Sequence, residues 1–160
     1  MDENFSEETK ALIVESRSVA IDLGYDYIST IHFFLADCKL NNRYTIRNFV
    51  FKTISDFQVF YNSQKIGEPT IFSESLPLTL EAEKTIKRAY DLWNKKNYKG
   101  YHIYPYHLFL ASSQLKETLF YSILEPKDKL NERLESYYLK IGQLTAEDIR
   151  KSIWSKFQKK

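Results

Sequence analysis

Two stretches of the chain read alike. His32-Phe33-Phe34-Leu35-Ala36 and His107-Leu108-Phe109-Leu110-Ala111 are each a histidine, three apolar residues and an alanine. Each follows an amphipathic segment that opens on a small hydroxyl residue, Ser6 in the first half and Thr79 in the second. Ser6 lies 26 residues ahead of His32 and Thr79 lies 28 ahead of His107, so the halves align with a two-residue insertion. A repeat of this kind constrains the fold more than any composition does, because two copies of one unit must bury the same face.

The unit is helical. Four glycines and four prolines occur in 160 residues, and they fall between periodic segments, which favours helices joined by turns over a hairpin-rich sheet. Phe5, Leu12, Val19, Ala20 and Leu23 recur at helical spacing. Ser6 can cap them, Glu7 and Glu8 suit the positive end of the helix dipole, and Gly24 supplies a stop, so the pattern predicts a helix over 6–23. A second helix is expected from Ser29 or Thr30 to about Lys39. The apolar stripe of Tyr44 to Tyr61 fits one helix or two. Residues 62–78, with Gly67, Pro69 and Pro77, read as a linker.

The pattern then restarts. Thr79 caps a helix whose face carries Ala82, Ile86, Ala89, Tyr90 and Trp93, closed by the polar run from Asn94 to Lys99 and by Gly100. Pro105 suits the first turn of the next helix. Leu115–Leu124 and Leu130–Ile141 are expected as two more, separated by Pro126 and ended by Gly142. Thr145 caps a last helix over 145–158, striped by Ile149, Ile153, Trp154 and Phe157. The expected organisation is one domain spanning 1–160: repeat one 5–61, linker 62–78, repeat two 79–141, then the C-terminal helix.

These residues resemble the N-terminal repeat domain of the Clp-type AAA+ unfoldases. That repeat opens on an aromatic and a threonine, runs an Ala-rich helix to Leu-Gly, and then reads Gly-Thr-Glu-His with apolar residues after it. Phe5-Ser6, Leu23-Gly24 and Ser29-Thr30-Ile31-His32 through Ala36 match in the first half. Leu78-Thr79, Ala82 and His107 through Ala111 match in the second. The resemblance covers roughly residues 5 to 141 and implies an all-α fold of two four-helix repeats related by a pseudo-twofold axis; the additional C-terminal helix lies beyond it and is expected from its own periodicity alone. Two departures stand out. The acid before each histidine, which in some relatives helps recognise phosphorylated arginine, is Ile31 in one half and Tyr106 in the other. The turn from Asn97 to Tyr106 is also longer and more aromatic than in the family.

Several chemistries are excluded or weakened. No Gly-x-x-x-x-Gly-Lys-[Ser/Thr] loop is present, so the chain lacks the phosphate cradle of an ATPase. His32, His102 and His107 lack cysteine or carboxylate partners at ligand spacing, and the expectation is that His32 and His107 bond backbone groups near helix starts. Neither catalysis nor a cofactor or metal is expected. Cys38, the single cysteine, lies in an apolar run and reads as a buried, inert thiol. The acidic start Met1-Asp2-Glu3-Asn4 is no secretory signal, and no window approaches the roughly 18 apolar residues of a membrane span, so a cytoplasmic protein is expected.

Protein contact is the remaining class. Tyrosines combine rigid apolar area with a polar tip. Tyr98, Tyr101, Tyr104 and Tyr106 in the second long turn, with Tyr25 and Tyr27 in the first, are the candidate contact residues. Ile149, Ile153, Trp154 and Phe157 are a candidate partner-docking stripe. The resemblance implies a non-catalytic module that recognises substrates, adaptors or a partner helix for a Clp-type unfoldase, as in the branch that recycles a secretion sheath. A stand-alone accessory subunit docking on a Clp protease or ATPase complex is the alternative. A nucleic-acid binder using the basic C-terminal helix is a third reading, and steep salt dependence would betray it.

Overall fold

The computed structural model describes residues 3–69, 76–94 and 102–144. Among them the secondary structure is eight helices in two sets of four, with no strand. The first set is α1 (Glu7–Asp22), α2 (Thr30–Leu40), α3 (Arg47–Val50) and α4 (Ile54–Ser63). The second is α5 (Leu80–Asn94), α6 (Pro105–Gln114), α7 (Leu119–Ile123) and α8 (Leu130–Lys140). The helix expected over 145–158 lies outside the described residues.

Local chemistry sets the ends. Ser6 caps α1, its hydroxyl accepting the Thr9 N–H at 3.1 Å. Gly24 follows with φ +87°, and the Tyr25 N–H returns to the Ala20 carbonyl at 2.9 Å, closing the helix through a left-handed residue. Gly142 ends α8 in the same way, with φ +88°. Tyr44–Tyr61 forms two helices, because Phe51 is extended and Thr53 opens α4 by accepting the Asp56 N–H at 3.0 Å. The helix expected over Leu115–Leu124 shrinks to α7. The Thr118 hydroxyl donates toward the Ser112 and Leu115 carbonyls, at 3.1 and 2.9 Å, and holds the preceding residues as a turn.

Helices α2 and α6 occupy the centre. Nine of the eleven residues of α2 are buried, and so are eight of the ten of α6, which is why both sequences are apolar on all sides rather than striped. Helix α1 packs on α2, α5 on α6, and α8 on α6. Phe120 of α7 lies between the halves, its ring 5.6 Å from Phe34 and 5.4 Å from Phe109.

The halves interlock at two short parallel bridges, Phe5 with Ile103 and Ile28 with Leu78. Ser6 N–H donates to the Ile103 carbonyl at 3.1 Å, and Ile103 N–H to the Asn4 carbonyl at 2.8 Å. In the other bridge Thr79 N–H donates to the Ile28 carbonyl at 3.0 Å, and Ile28 N–H to the Pro77 carbonyl at 2.9 Å. The residue ahead of the first helix of each repeat thus pairs with the residue ahead of the second helix of the other. This is a pseudo-twofold relation written in backbone hydrogen bonds. The described ends of segment 62–78 are tied down too: Ile66 N–H donates to the Leu23 carbonyl at 2.9 Å, and Leu76 is buried.

Candidate functional site

The repeated histidines are helix caps. His32 Nδ1 accepts the Ser29 N–H at 2.9 Å, and His107 Nδ1 accepts the Tyr104 N–H at 2.8 Å. A nitrogen that accepts cannot carry the proton, so each ring is neutral with hydrogen on Nε2. Both rings are fully buried, and burial lowers their pKa from 6.5 to about 4 for His32 and about 3 for His107. This is the backbone-bonding role expected from sequence. No group of three or more His, Cys, Asp or Glu side chains that could hold a metal occurs among the described residues.

The candidate tyrosines gather around these caps. Tyr25 and Tyr27 meet edge to face at 5.4 Å, and Tyr25 lies 4.5 Å from His32. Tyr25 also braces the turn, its Oη donating to the Gln64 carbonyl at 3.0 Å. Tyr104 and Tyr106 are stacked at 5.9 Å, and Tyr106 lies 4.2 Å from His107. Tyr106 is only 2% exposed and touches Tyr138, so its ring belongs to the core and offers little contact area. The interlock explains this: pairing Ile103 with Phe5 draws the α6 start inward. Tyr98, Tyr101, Ile149, Ile153, Trp154 and Phe157 lie outside the described residues.

Sequence reasoning missed the carboxylates that flank the interlock. Glu81 takes four donors: the Thr30 N–H at 2.9 Å, the Thr30 hydroxyl at 2.5 Å, the Thr79 hydroxyl at 2.7 Å and the Leu119 N–H at 3.2 Å. It is a hub between the repeats. The pseudo-equivalent place, where Glu8 faces the start of α6, is instead an open cleft of about 250 Å³. Glu8, Asp37, Tyr44, Tyr104, Tyr106 and Gln143 are among its lining residues. Asp37 is 3% exposed, with Oδ2 accepting the Ile46 N–H at 2.8 Å. Burial raises its pKa from 3.8 to about 7, against the lowering effect of the Ile46 and Thr45 hydrogen bonds. A signal for it was available, since Asp37 is the one acid inside the apolar run from Ile31 to Cys38.

Cys38 is buried as expected, its thiol pushed well up by desolvation and by Asp37, so it is no nucleophile at neutral pH. No described helix is long and apolar enough to cross a membrane.

No protein-family model matches the sequence, and no curated protein does. Solved structures do match. A protein of a malarial protein secretion system aligns with TM-score 0.59 and 19% identity, over 98% of this chain and 96% of its own. The Hsp104 N-terminal domain from Candida albicans aligns with TM-score 0.55 and 12% identity, over 96% and 92%. The N-terminal domain of the caseinolytic protease associated chaperone ClpD from Arabidopsis thaliana aligns with TM-score 0.53 and 13% identity, over 97% and 96%. The interlocked helical repeats capped by His32 and His107 are therefore the fold of the Clp-type N-terminal domains.

Proposed function

We propose that this chain is a non-catalytic protein-binding module of a Clp-type unfoldase system, recognising a substrate, an adaptor or a partner helix. The observation that supports it most is the likeness to chaperone N-terminal domains over nearly the full length of both chains. A shared fold assigns no chemistry on its own, so the surface must also suit the role. Leu80 and Leu119 flank the Glu81–Leu119 hydrogen bond and are 67% and 42% exposed, which is apolar area beside the junction of the repeats. Exposed apolar side chains beside a rigid junction suit contact with another polypeptide.

The test is affinity capture from lysate of the source organism with the purified 160-residue chain, read by mass spectrometry. Leu80→Ser/Leu119→Ser serves as the surface variant. Enrichment of Clp ATPase or protease subunits or their adaptors, reduced several-fold by the variant, is the expected result. Recovery of nucleic acid alone, or of proteins unrelated to Clp machinery, refutes the reading.

A further inference from the structure

Residues 38–55 hold Lys39, Arg43, Arg47 and Lys52 and not one acid. Lys39 turns away to pair with Glu15 at 3.2 Å. Arg43 lies in the turn after α2 and Arg47 opens α3, which rests against α8 of the other repeat. The Phe49 ring is 5.4 Å from Tyr137, and the Tyr137 Oη donates to the Thr45 carbonyl at 2.5 Å. The Arg133 guanidinium stands over Phe49 at 5.8 Å. Burial raises the Tyr137 phenol to about 12, and Arg47 is near enough to act against that rise. On α8, Arg133, Tyr137 and Lys140 are spaced i, i+4, i+7 and so share one side. Arg43, Arg47, Arg133 and Lys140 thereby converge on one face around the half-buried rings of Phe49 and Tyr137.

The nearby acids point elsewhere. Among the described residues Arg43, Arg47 and Lys140 have no ion-pair partner. Arg133 donates from Nε to the Asp128 carbonyl at 3.1 Å and from Nη2 to the Pro126 carbonyl, neutral groups that leave its charge uncompensated. Asp37, beneath the turn, is buried, and its Oδ2 accepts the Ile46 N–H at 2.8 Å and the Thr45 hydroxyl at 3.4 Å. Glu135 is buried as well, and Glu132 lines a small cleft with Ser113 and Lys116 on the side toward α6. The fold does not require these cations: α7 and α4, the pseudo-twofold mates of α3 and α8, carry Asp56 as their only charge. Like charges gathered without counter-charge repel one another, and a bound anion relieves that repulsion.

Carboxylates suit this face better than a nucleic acid or a lipid surface. Phe49 is packed between Arg133 and Tyr137, and the Tyr137 hydroxyl is tied to Thr45, so neither ring presents a flat face on which a base could stack. Both rings are half-buried and give a bilayer little apolar area to take up. Guanidinium and ammonium groups remain, and carboxylates match them, the arginines in bidentate fashion. We propose that the α3–α8 face docks an acidic segment of the partner protein, whose Asp and Glu side chains meet Arg43, Arg47, Arg133 and Lys140. The inference rests on the protein-binding reading above and adds the chemistry of the partner and the face that meets it.

Fluorescence anisotropy of the full chain tests it. The probe is a labelled, acetylated and amidated octapeptide of alternating glutamate and serine, and its control carries glutamine in place of glutamate. Saturable binding about ten-fold tighter for the glutamate peptide is expected, weakening as salt rises. Arg47→Gln/Lys140→Gln should weaken it about ten-fold, and Lys87→Gln, on α5, should leave it unchanged. Circular dichroism reports whether each variant keeps its helices. An oligothymidine of the same length and vesicles containing phosphatidylserine serve as competitors, and both should displace the probe less well than the unlabelled peptide.

Equal affinity for the glutamine peptide, no binding at all, or a well-folded double variant that binds like wild type overturns the assignment. So does a tighter hold on the oligonucleotide or the vesicles that the double variant loses. If capture of Clp subunits persists while the glutamate peptide fails, the protein-binding reading stands and this face is not its site. If both fail, the protein-binding reading falls with it.

Discussion

At the residue scale the chain contains ionisable groups whose burial pulls stability in opposite directions with pH. Asp37, raised to about 7, favours its protonated form in the fold, so its contribution is full below the ordinary 3.8 and is lost as pH rises through about 7. His32 and His107, lowered to about 4 and about 3, favour the neutral form. Their contribution is full above 6.5 and is lost as pH falls toward those values. The two trends oppose each other between about pH 4 and 6.5. Asp37→Asn keeps an oxygen for the Ile46 N–H while removing the buried charge. It is expected to stabilise the protein by on the order of 1 kcal/mol or more at pH 8. That gain should disappear by pH 4, and acid unfolding of the variant should be correspondingly steeper. Urea midpoints at pH 8, 6 and 4 decide it, and a variant equally destabilised at every pH would show that the carboxylate charge carries no such penalty.

At the element scale, capping rather than helix propensity marks where helices start and stop. Helix α1 shows this best. Its stop, Gly24, sits at φ +87°, and a Cβ there would lie 2.8 Å from the Gly67 carbonyl oxygen. Backbone strain and a close approach therefore act on one residue. Gly24→Ala should cost at least about 2 kcal/mol, more than the roughly 1–2 kcal/mol of a left-handed alanine alone. Thermal unfolding measures it. Gly142→Ala, with the same φ but open space around it, is the comparison and should cost less. Much at this scale was legible in the sequence: Ser6, Gly24, Pro105 and Gly142 all serve the ends they were assigned. The contraction of 115–124 to α7 was not legible, because it depends on Thr118 reaching back six residues to the Ser112 carbonyl.

At the scale of the whole molecule, the repeats are held by reciprocal pairing, so neither half has its edges satisfied alone. The Ile28 and Ile103 amides occupy equivalent places in the two bridges. They should exchange with solvent at similar, slow rates governed by global unfolding. Glu81→Ala removes an acceptor shared by four donors and should destabilise by about 2–3 kcal/mol. The variant should also raise the exchange rate of Ile28 more than that of Ile103. Hydrogen exchange measured by NMR tests both. Equal acceleration of the two amides would mean that Glu81 supports the fold generally rather than its own bridge.

What the sequence determined by itself was the local and the repetitive: helical periodicity, the caps, the glycine stops, the backbone-bonding histidines and the two-copy organisation that pointed to this fold. Each of those depends on residues a few positions apart or on a comparison of the chain with itself. Tertiary structure decided which carboxylate is satisfied and which is open. Glu81 meets Thr30 across 51 positions and Thr9 meets Ile103 across 94, and no short-range pattern announces such contacts. It also decided that Tyr106 faces inward beside Tyr138. Periodicity specifies the side of a helix, whereas the packing of one repeat against the other specifies what that side meets.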